Sequence, residues 1–400
     1  MGMFFGGDGT MRLATRTDMF RGQGAAAWQA QAEALERLAA GQEAFLLTIG
    51  NSDFATPASV IETACASLNQ GRTHYAPMTG ERSLREAIAA RHARRTGQSV
   101  SADQVVVTAG AQNALMASAL CIADPGDEII VPEPMYVTYP ATLATAGANV
   151  VGIRSPAQNG FHPLIEDLAR AVTPRTRAIF LATPNNPTGA VYSRAELQAI
   201  GEICAANDLW LVSDEVYADL VHDGQFVSPT SLPILADRTI TISSLSKSHA
   251  MAGWRLGWLV APPEFAEAAG RHGVCSTFGV PPFIQDAAVT ALKIAPNGIE
   301  EIRATYDARR KRVCERLDGV SGLRCRLPEA GMFVMLDIRA TGLSAQDFAL
   351  GLVRTTGVAS LPTDSFGPSA TGFVRISLGF PDSGLDEAIR RIAGFASTLV

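Results

Sequence analysis

TITISSLSKSHAMAGWRLGWLV, residues 239–260, is the stretch on which the fold turns. It opens on a β-branched run, TITIS (239–243), and closes on an apolar one, LGWLV (256–260). Between them lies a loop of small hydroxyl residues with one lysine, Lys247, and with Arg255 eight residues further on. Unbroken runs of this kind suit strands covered on both faces, because a half-exposed strand would alternate with polar residues. Four more runs precede them: VVVT (105–108), EIIVP (128–132), AIFLA (178–182) and LWLVS (209–213). Helical patterns separate them, and that alternation predicts crossover units on a mostly parallel sheet, an α/β fold. Ser193 with Glu196 reads as a capping box, and Thr56 before Pro57 as an N-cap followed by a first-turn proline.

The character changes after Leu292. A charged helical stretch, 300–317, leads to the strand-like GMFVMLD (331–337), a helix capped at Ser344, then VASLP (358–362), FVRISL (373–378) and a final helix. This is a smaller α+β unit. The N-terminal helix pattern, 27–40 with Gly41 as its stop, has no sheet of its own to cover. The expected division is therefore a large domain, 50–292, and a small discontinuous one, 1–49 with 293–400.

The 400 residues carry 33 Lys and Arg against 39 Asp and Glu, a net charge of −6, with 47% hydrophobic residues. That balance excludes a disordered chain, and the absence of a basic stripe argues against nucleic acid as a partner. The six cysteines show no C-x-x-C spacing, which favours reduced thiols. Met1 to Phe20 lacks the apolar core of a signal peptide, and no run is long enough to span a bilayer, so a cytoplasmic protein with no membrane partner is expected. The six histidines form no H-E-x-x-H pair, so no metal site is expected.

Three segments converge on one chemistry. A lone lysine would read as a solvated surface residue, but Lys247 sits in a loop of small and apolar residues near another cation. Those surroundings lower a lysine pKa and favour a Schiff base with a carbonyl. In VVVTAGAQNALMASAL (105–120), Gly110 permits close backbone approach, and the N–H groups of Gly110, Ala111 and Gln112 open a helix whose dipole favours a phosphate. There is no G-x-G-x-x-G and no Walker lysine, which weakens a nucleotide reading. TPNNPTG (183–189) and SDEVYADL (213–220) each follow a strand run, where ligands of such sheets collect. Asn186, Asp214, Tyr217, Ser244 and Lys247 should thus meet at one sheet edge. A Schiff-base lysine, a phosphate cradle with Arg255 and a carboxylate for a pyridinium nitrogen are what pyridoxal 5'-phosphate requires.

With NNPTG, DEVY, S-x-S-K-x-x-x-x-x-G-x-R-x-G and the late FVRIS in place, the chain resembles the class I/II, fold-type I aminotransferases from about Ala25 to Arg390. EPMYVTY, GMFVMLDIRATGLSAQ and FGPSA look most like the arginine:pyruvate transaminases within that group. The resemblance implies that Lys247 holds the cofactor as an imine and then shuttles the Cα proton. It also implies that Asp214 keeps the ring nitrogen protonated, that Tyr217 and Asn186 bond the ring hydroxyl, and that Tyr136 covers the ring. Gly110, Ala111, Gln112, Ser244, Arg255 and the partner subunit's Tyr75 would hold the phosphate, with Ser246 assisting. Arg375 would grip the substrate α-carboxylate, which would also meet backbone at Gly50. The active unit is then a homodimer with shared sites, moving an amino group from an amino acid, arginine favoured, to a 2-oxo acid, pyruvate favoured.

Dicarboxylate-specific relatives use an additional arginine near residues 274–283, yet no Lys or Arg lies between His272 and Lys293, which disfavours aspartate and glutamate as donors. Met332, Phe333 and Met335 read as core. The alternatives are transamination of other neutral or aromatic donors, a β-lyase, oxidase or decarboxylase on the same fold, or a non-catalytic regulator. The last lacks support because such regulators resemble fusions with an N-terminal winged helix.

Overall fold

A computed structural model describes residues 13–14, 17–18, 26–294 and 296–399. Most of Met1 to Phe20, the segment read as lacking a signal-peptide core, lies outside these residues.

Among the described residues, thirteen strands form three sheets. Phe45–Leu46 (β1) comes first. The central strands follow: Val105–Thr108 (β2), Glu128–Pro132 (β3), Asn149–Ile153 (β4), Thr176–Ala182 (β5), Trp210–Asp214 (β6), Thr239–Ser244 (β7) and Gly257–Val260 (β8). The last five are Arg324–Cys325 (β9), Phe333–Asp337 (β10), Val358–Ala359 (β11), Leu361–Pro362 (β12) and Phe373–Ser377 (β13). The large sheet has the order β2-β8-β7-β6-β5-β3-β4; β8 runs antiparallel to both neighbours and the other pairings are parallel. The α/β architecture with a mostly parallel sheet is as expected. All six strand runs form strands.

The unbroken apolar runs are explained by burial on two faces. Along β5, Ala178, Phe180 and Ala182 point into one core with Val131 and Leu143, while Ile179 and Leu181 enter another with Leu197 and Leu235. Each large side chain removed from water in this way stabilises the fold by about 1.5–3 kcal/mol. In the large sheet the strand that sequence reasoning missed is β4, an edge strand with only Ile153 buried; the two-residue strands β1 and β9 were missed as well. An edge strand needs no continuous apolar run, so it left no such signal.

In the C-terminal part, β10 pairs antiparallel with β9 and β13, and β13 with β12. VASLP, read as one strand, divides: β11 pairs with β1, while β12 joins β13. The N-terminal helix, Gln29–Ala39, buries Ala30 and Ala34 against Ala349 and Val353 of the helix Ala345–Thr356. The Ser193 capping box forms, with Ser193 Oγ accepting from Glu196 N at 3.2 Å and Glu196 Oε2 accepting from Ser193 N at 2.8 Å. Thr56, in contrast, is not a cap. Its hydroxyl donates to Ala250 O (2.8 Å) and accepts from Trp254 Nε1 (3.0 Å), tying the loop after Lys247 to the N-terminal chain. No helix among the described residues is long and apolar enough to cross a membrane.

Candidate active site

The carboxyl ends of the parallel strands open onto a cavity of about 210 Å³. Strand β6 delivers Asp214, β7 delivers Ser244 with Ser246 and Lys247 just beyond, and the turn after β5 delivers Asn186. The C-terminal part closes the cavity with Arg375 from β13 and Phe333 from β10. Ala111, Gln112, Tyr136, Tyr217, Arg255 and Gly50 also line it, so the residues singled out by sequence converge, with two exceptions. Gly110 does not line it, and its N–H, read from sequence as a phosphate donor, is spent on Thr108 O at 2.8 Å. Tyr75 is 83% exposed and rests edge-on against Phe278, outside the cavity of its own chain.

Lys247 Nζ donates to Gly50 O at 2.5 Å. Burial, then the charges of Arg375 and Arg255, lower its pKa from the usual 10.5 to about 8, although Asp214 opposes them. The shift favours the neutral, nucleophilic amine. In cofactor-free protein, acylation of Lys247 by an amine-directed reagent should therefore rise through a midpoint near pH 8. A midpoint near 10 would mean that the amine is solvated.

Asp214 Oδ2 accepts from Tyr139 OH at 2.9 Å and Oδ1 from Val216 N at 3.2 Å. Burial still pushes this carboxyl up, because no cation pairs with it closely enough to compensate. Tyr139 was not among the residues read from the sequence. It is buried, packed edge-on between Tyr136 and Phe180, and opens a helix three residues after Tyr136.

The helix Ala111–Ile122 begins at Gly110, whose φ is +81°. A Cβ there would stand 2.5 Å from the Arg255 guanidinium, and one on Gly257 would stand 2.4 Å from Ala111 N. Two bare Cα atoms thus let Arg255 and the free helix N–H groups close on one point, a cradle for an anion. The Gln112 side chain is committed elsewhere, donating to Thr142 Oγ1 (2.7 Å) and accepting from Thr138 Oγ1 (2.8 Å). Its contribution to a phosphate is left to its backbone.

Arg375 is 4% exposed and donates to Asn186 Oδ1 (2.8 Å) and Thr48 O (2.5 Å), both neutral acceptors. Its Nε has no partner, and among the described residues no carboxylate pairs with it. The guanidinium lies 3.9 Å from the Phe333 ring centroid and 5.4 Å from that of Phe366. Phe333, read from sequence as core alone, is therefore also the floor beneath Arg375. Burial lowers the Arg375 pKa to about 10. A buried cation without a counter-ion is costly, and an anion arriving with a ligand would complete the arrangement.

These features fit pyridoxal phosphate. The lysine of lowered pKa matches its aldehyde, the Gly110–Arg255 cradle its phosphate, and the uncompensated Asp214 its ring nitrogen. Tyr139→Phe deletes a hydrogen bond to a charged acceptor, worth about 1.5–3 kcal/mol. Cofactor affinity or kcat should fall about tenfold, measured by equilibrium binding and steady-state rates; wild-type values in both would remove Tyr139 from the site.

The family model "Aminotransferase class I and II" matches residues 42–392. The chain is 50% identical to the arginine–pyruvate transaminase AruH of Pseudomonas aeruginosa over 390 residues, 98% of this chain and 99% of that one. It is 37% identical to aromatic-amino-acid aminotransferase 2 of Thermococcus litoralis over 363 residues, covering 89% and 92% of the two chains. Among solved structures, the aspartate aminotransferase of Thermus thermophilus superposes with a TM-score of 0.91 at 35% identity, over 96% of this chain and 100% of that one. A lowered-pKa lysine, an anion cradle and an unpaired buried arginine at the strand ends, carried on this sequence and this fold, place the chain in the class I and II aminotransferases, enzymes that depend on pyridoxal phosphate.

Proposed function

We propose that this enzyme transfers the α-amino group of L-arginine to pyruvate by a ping-pong mechanism, in the cytoplasm, as a homodimer whose sites are shared. The observation that carries the transfer is the buried Arg375 guanidinium, without a counter-ion, on the same cavity as the Lys247 amine. Every amino acid and 2-oxo acid brings an α-carboxylate, and Arg375 would receive it in a bidentate pair. The donor reading rests on the 50% identity with the arginine–pyruvate transaminase and on the rest of the lining. Trp28, Ile49, Val137 and Leu361 offer apolar and aromatic surface, and besides Arg375, Arg255 and Lys247 no cation among the described residues lines the cavity to receive an acidic side chain.

Pyridoxal phosphate, when bound, supplies the aldehyde that takes up the amino group and the ring that accepts the electron pair left at Cα. The chain does the rest. Lys247 would hold the cofactor, and its Nζ would move the Cα proton. Asp214, held in place by Tyr139 and Val216 N, stabilises positive charge on the ring nitrogen. Tyr217 and Asn186 would serve the ring hydroxyl, and Tyr136 would cover the ring. Ala111, Gln112, Ser244 and Arg255 would bind the phosphate, with Ser246 beside the lysine. Gly50 offers its carbonyl to Lys247 and backbone to the substrate. Tyr75, exposed on its own chain, would complete the neighbour's phosphate site. The working division is a large cofactor-binding domain, 50–292, and a small one built from 1–49 and 293–400.

The test is to incubate purified enzyme with pyruvate and a panel of basic, neutral, aromatic and acidic amino acids, and to measure alanine. Arginine should give the highest rate. Alanine from no donor would overturn the transaminase reading, and a faster aromatic or acidic donor would overturn the choice of arginine.

A further inference from the structure

Two sequence stretches more than two hundred residues apart, EPMYVTY (133–139) and FGPSA (366–370), meet at a hydrogen-bonded seam beside the cavity. Glu133, the first residue beyond β3, is 7% exposed. Its Oε2 accepts from Ser369 N (3.1 Å) and from Ser369 Oγ (3.0 Å), and Ser369 Oγ accepts in turn from Ser155 N (3.1 Å). Beside this pair, Met135 N donates to Phe366 O at 2.8 Å. The carboxylate is boxed by two glycines: a Cβ on Gly152 would stand 2.5 Å from Glu133 Oε1, and one on Gly367, whose φ is +110°, would stand 2.9 Å from its Cδ. Such a fit leaves the carboxylate one position.

The seam has a consequence at each end. On one side, the turn that Glu133 holds presents Phe366 to the Arg375 guanidinium at 5.4 Å. On the other, Tyr136 follows three residues later and lines the cavity, and Pro134 O accepts from Asn185 Nδ2 at 3.1 Å, next to Asn186. We infer that Glu133 is a positioning residue: by clamping the 366–370 turn to the end of β3, it fixes Phe366 under Arg375 and sets where the substrate carboxylate is gripped. The clamp ties a turn between two strands of the small C-terminal sheet to the carboxyl end of β3 in the large sheet, so it also sets the spacing across the cavity. Misplacement of a binding group by about 1 Å can cost about 100-fold.

The inference rests on the proposed α-carboxylate role of Arg375, and its test uses the holoenzyme with wild type alongside. Glu133→Ala should raise KM for both amino donor and 2-oxo acid about tenfold, with kcat changed less than about threefold. The dissociation constant of an α-methyl amino acid, which binds but has no Cα proton to lose, should rise by the same factor, read from the cofactor absorbance. Glu133→Gln keeps an acceptor for both Ser369 donors and should restore most of the affinity. Ser369→Ala should give a smaller rise in KM, about threefold, and the double variant should be no worse than Glu133→Ala, since both act through one contact. If Glu133→Ala does not fold, Ser369→Ala and Glu133→Gln decide. A KM and dissociation constant within twofold of wild type, a lowered melting temperature alone, glutamine no better than alanine, or additive effects would each overturn the inference. A wild type that makes no alanine would instead overturn the proposed function.

Discussion

Lys247→Ala should reduce transamination by about 10⁴-fold or more, because on the proposed roles one substitution would remove both the covalent attachment of the cofactor and the group that moves the Cα proton. The cofactor should still bind. The cradle proposed for its phosphate, Arg255 with the N-terminus of the helix Ala111–Ile122, does not involve the lysine side chain. The expected protein is therefore folded, charged with cofactor and inactive, with an absorbance spectrum of free aldehyde rather than imine. The chain simplifies the companion experiment, since it contains only three lysines, 247, 293 and 311. Lys311 lies on a distant helix, paired with Asp307 at 2.8 Å. Borohydride reduction followed by peptide mapping should place the cofactor on Lys247. Label on Lys293 or Lys311, or turnover within tenfold of wild type in the alanine variant, would show the assignment to be wrong.

Arg375→Ala should lower kcat/KM by at least about 100-fold for every amino acid and 2-oxo acid together, since all share the α-carboxylate. Two charge-assisted hydrogen bonds, each worth about 1.5–3 kcal/mol, set that scale. Cofactor retention should survive, because the cradle lies with Arg255. Lysine at 375 should recover little, as a point charge cannot reproduce a planar fork resting on Phe333 at 3.9 Å. A second readout comes from electrostatics. Arg375 is the largest charge effect lowering the Lys247 pKa, so the midpoint near pH 8 should move upward in the alanine variant. Loss confined to one donor, with others spared, would make Arg375 a side-chain selector and would send the search for the carboxylate anchor elsewhere.

Much of this enzyme was legible in local sequence. The strands of the central sheet announced themselves because burial on both faces demands unbroken apolar runs, a property each strand carries within itself. Lys247, Asp214 and Asn186 stand at or just beyond strand ends and Arg255 just before the start of β8, so knowing the strands was nearly enough to bring them together. What the sequence could not show were relations between groups far apart in the chain. Tyr139 bonds Asp214 from 75 residues away; Thr56 looked like a cap and is instead spent on Ala250 and Trp254. Phe333 read as core because its strand is apolar, yet it faces a cavity that exists only once β10 and β13 pair. Edge strand β4, half solvated, offered no unbroken run to read. The absence of a carboxylate near Arg375 is also a tertiary fact, since any of the 39 acidic residues could have folded against it and none of those described did. Periodicity is written within a segment. Which partner a buried polar group finds, or lacks, depends on how the segments are threaded and packed.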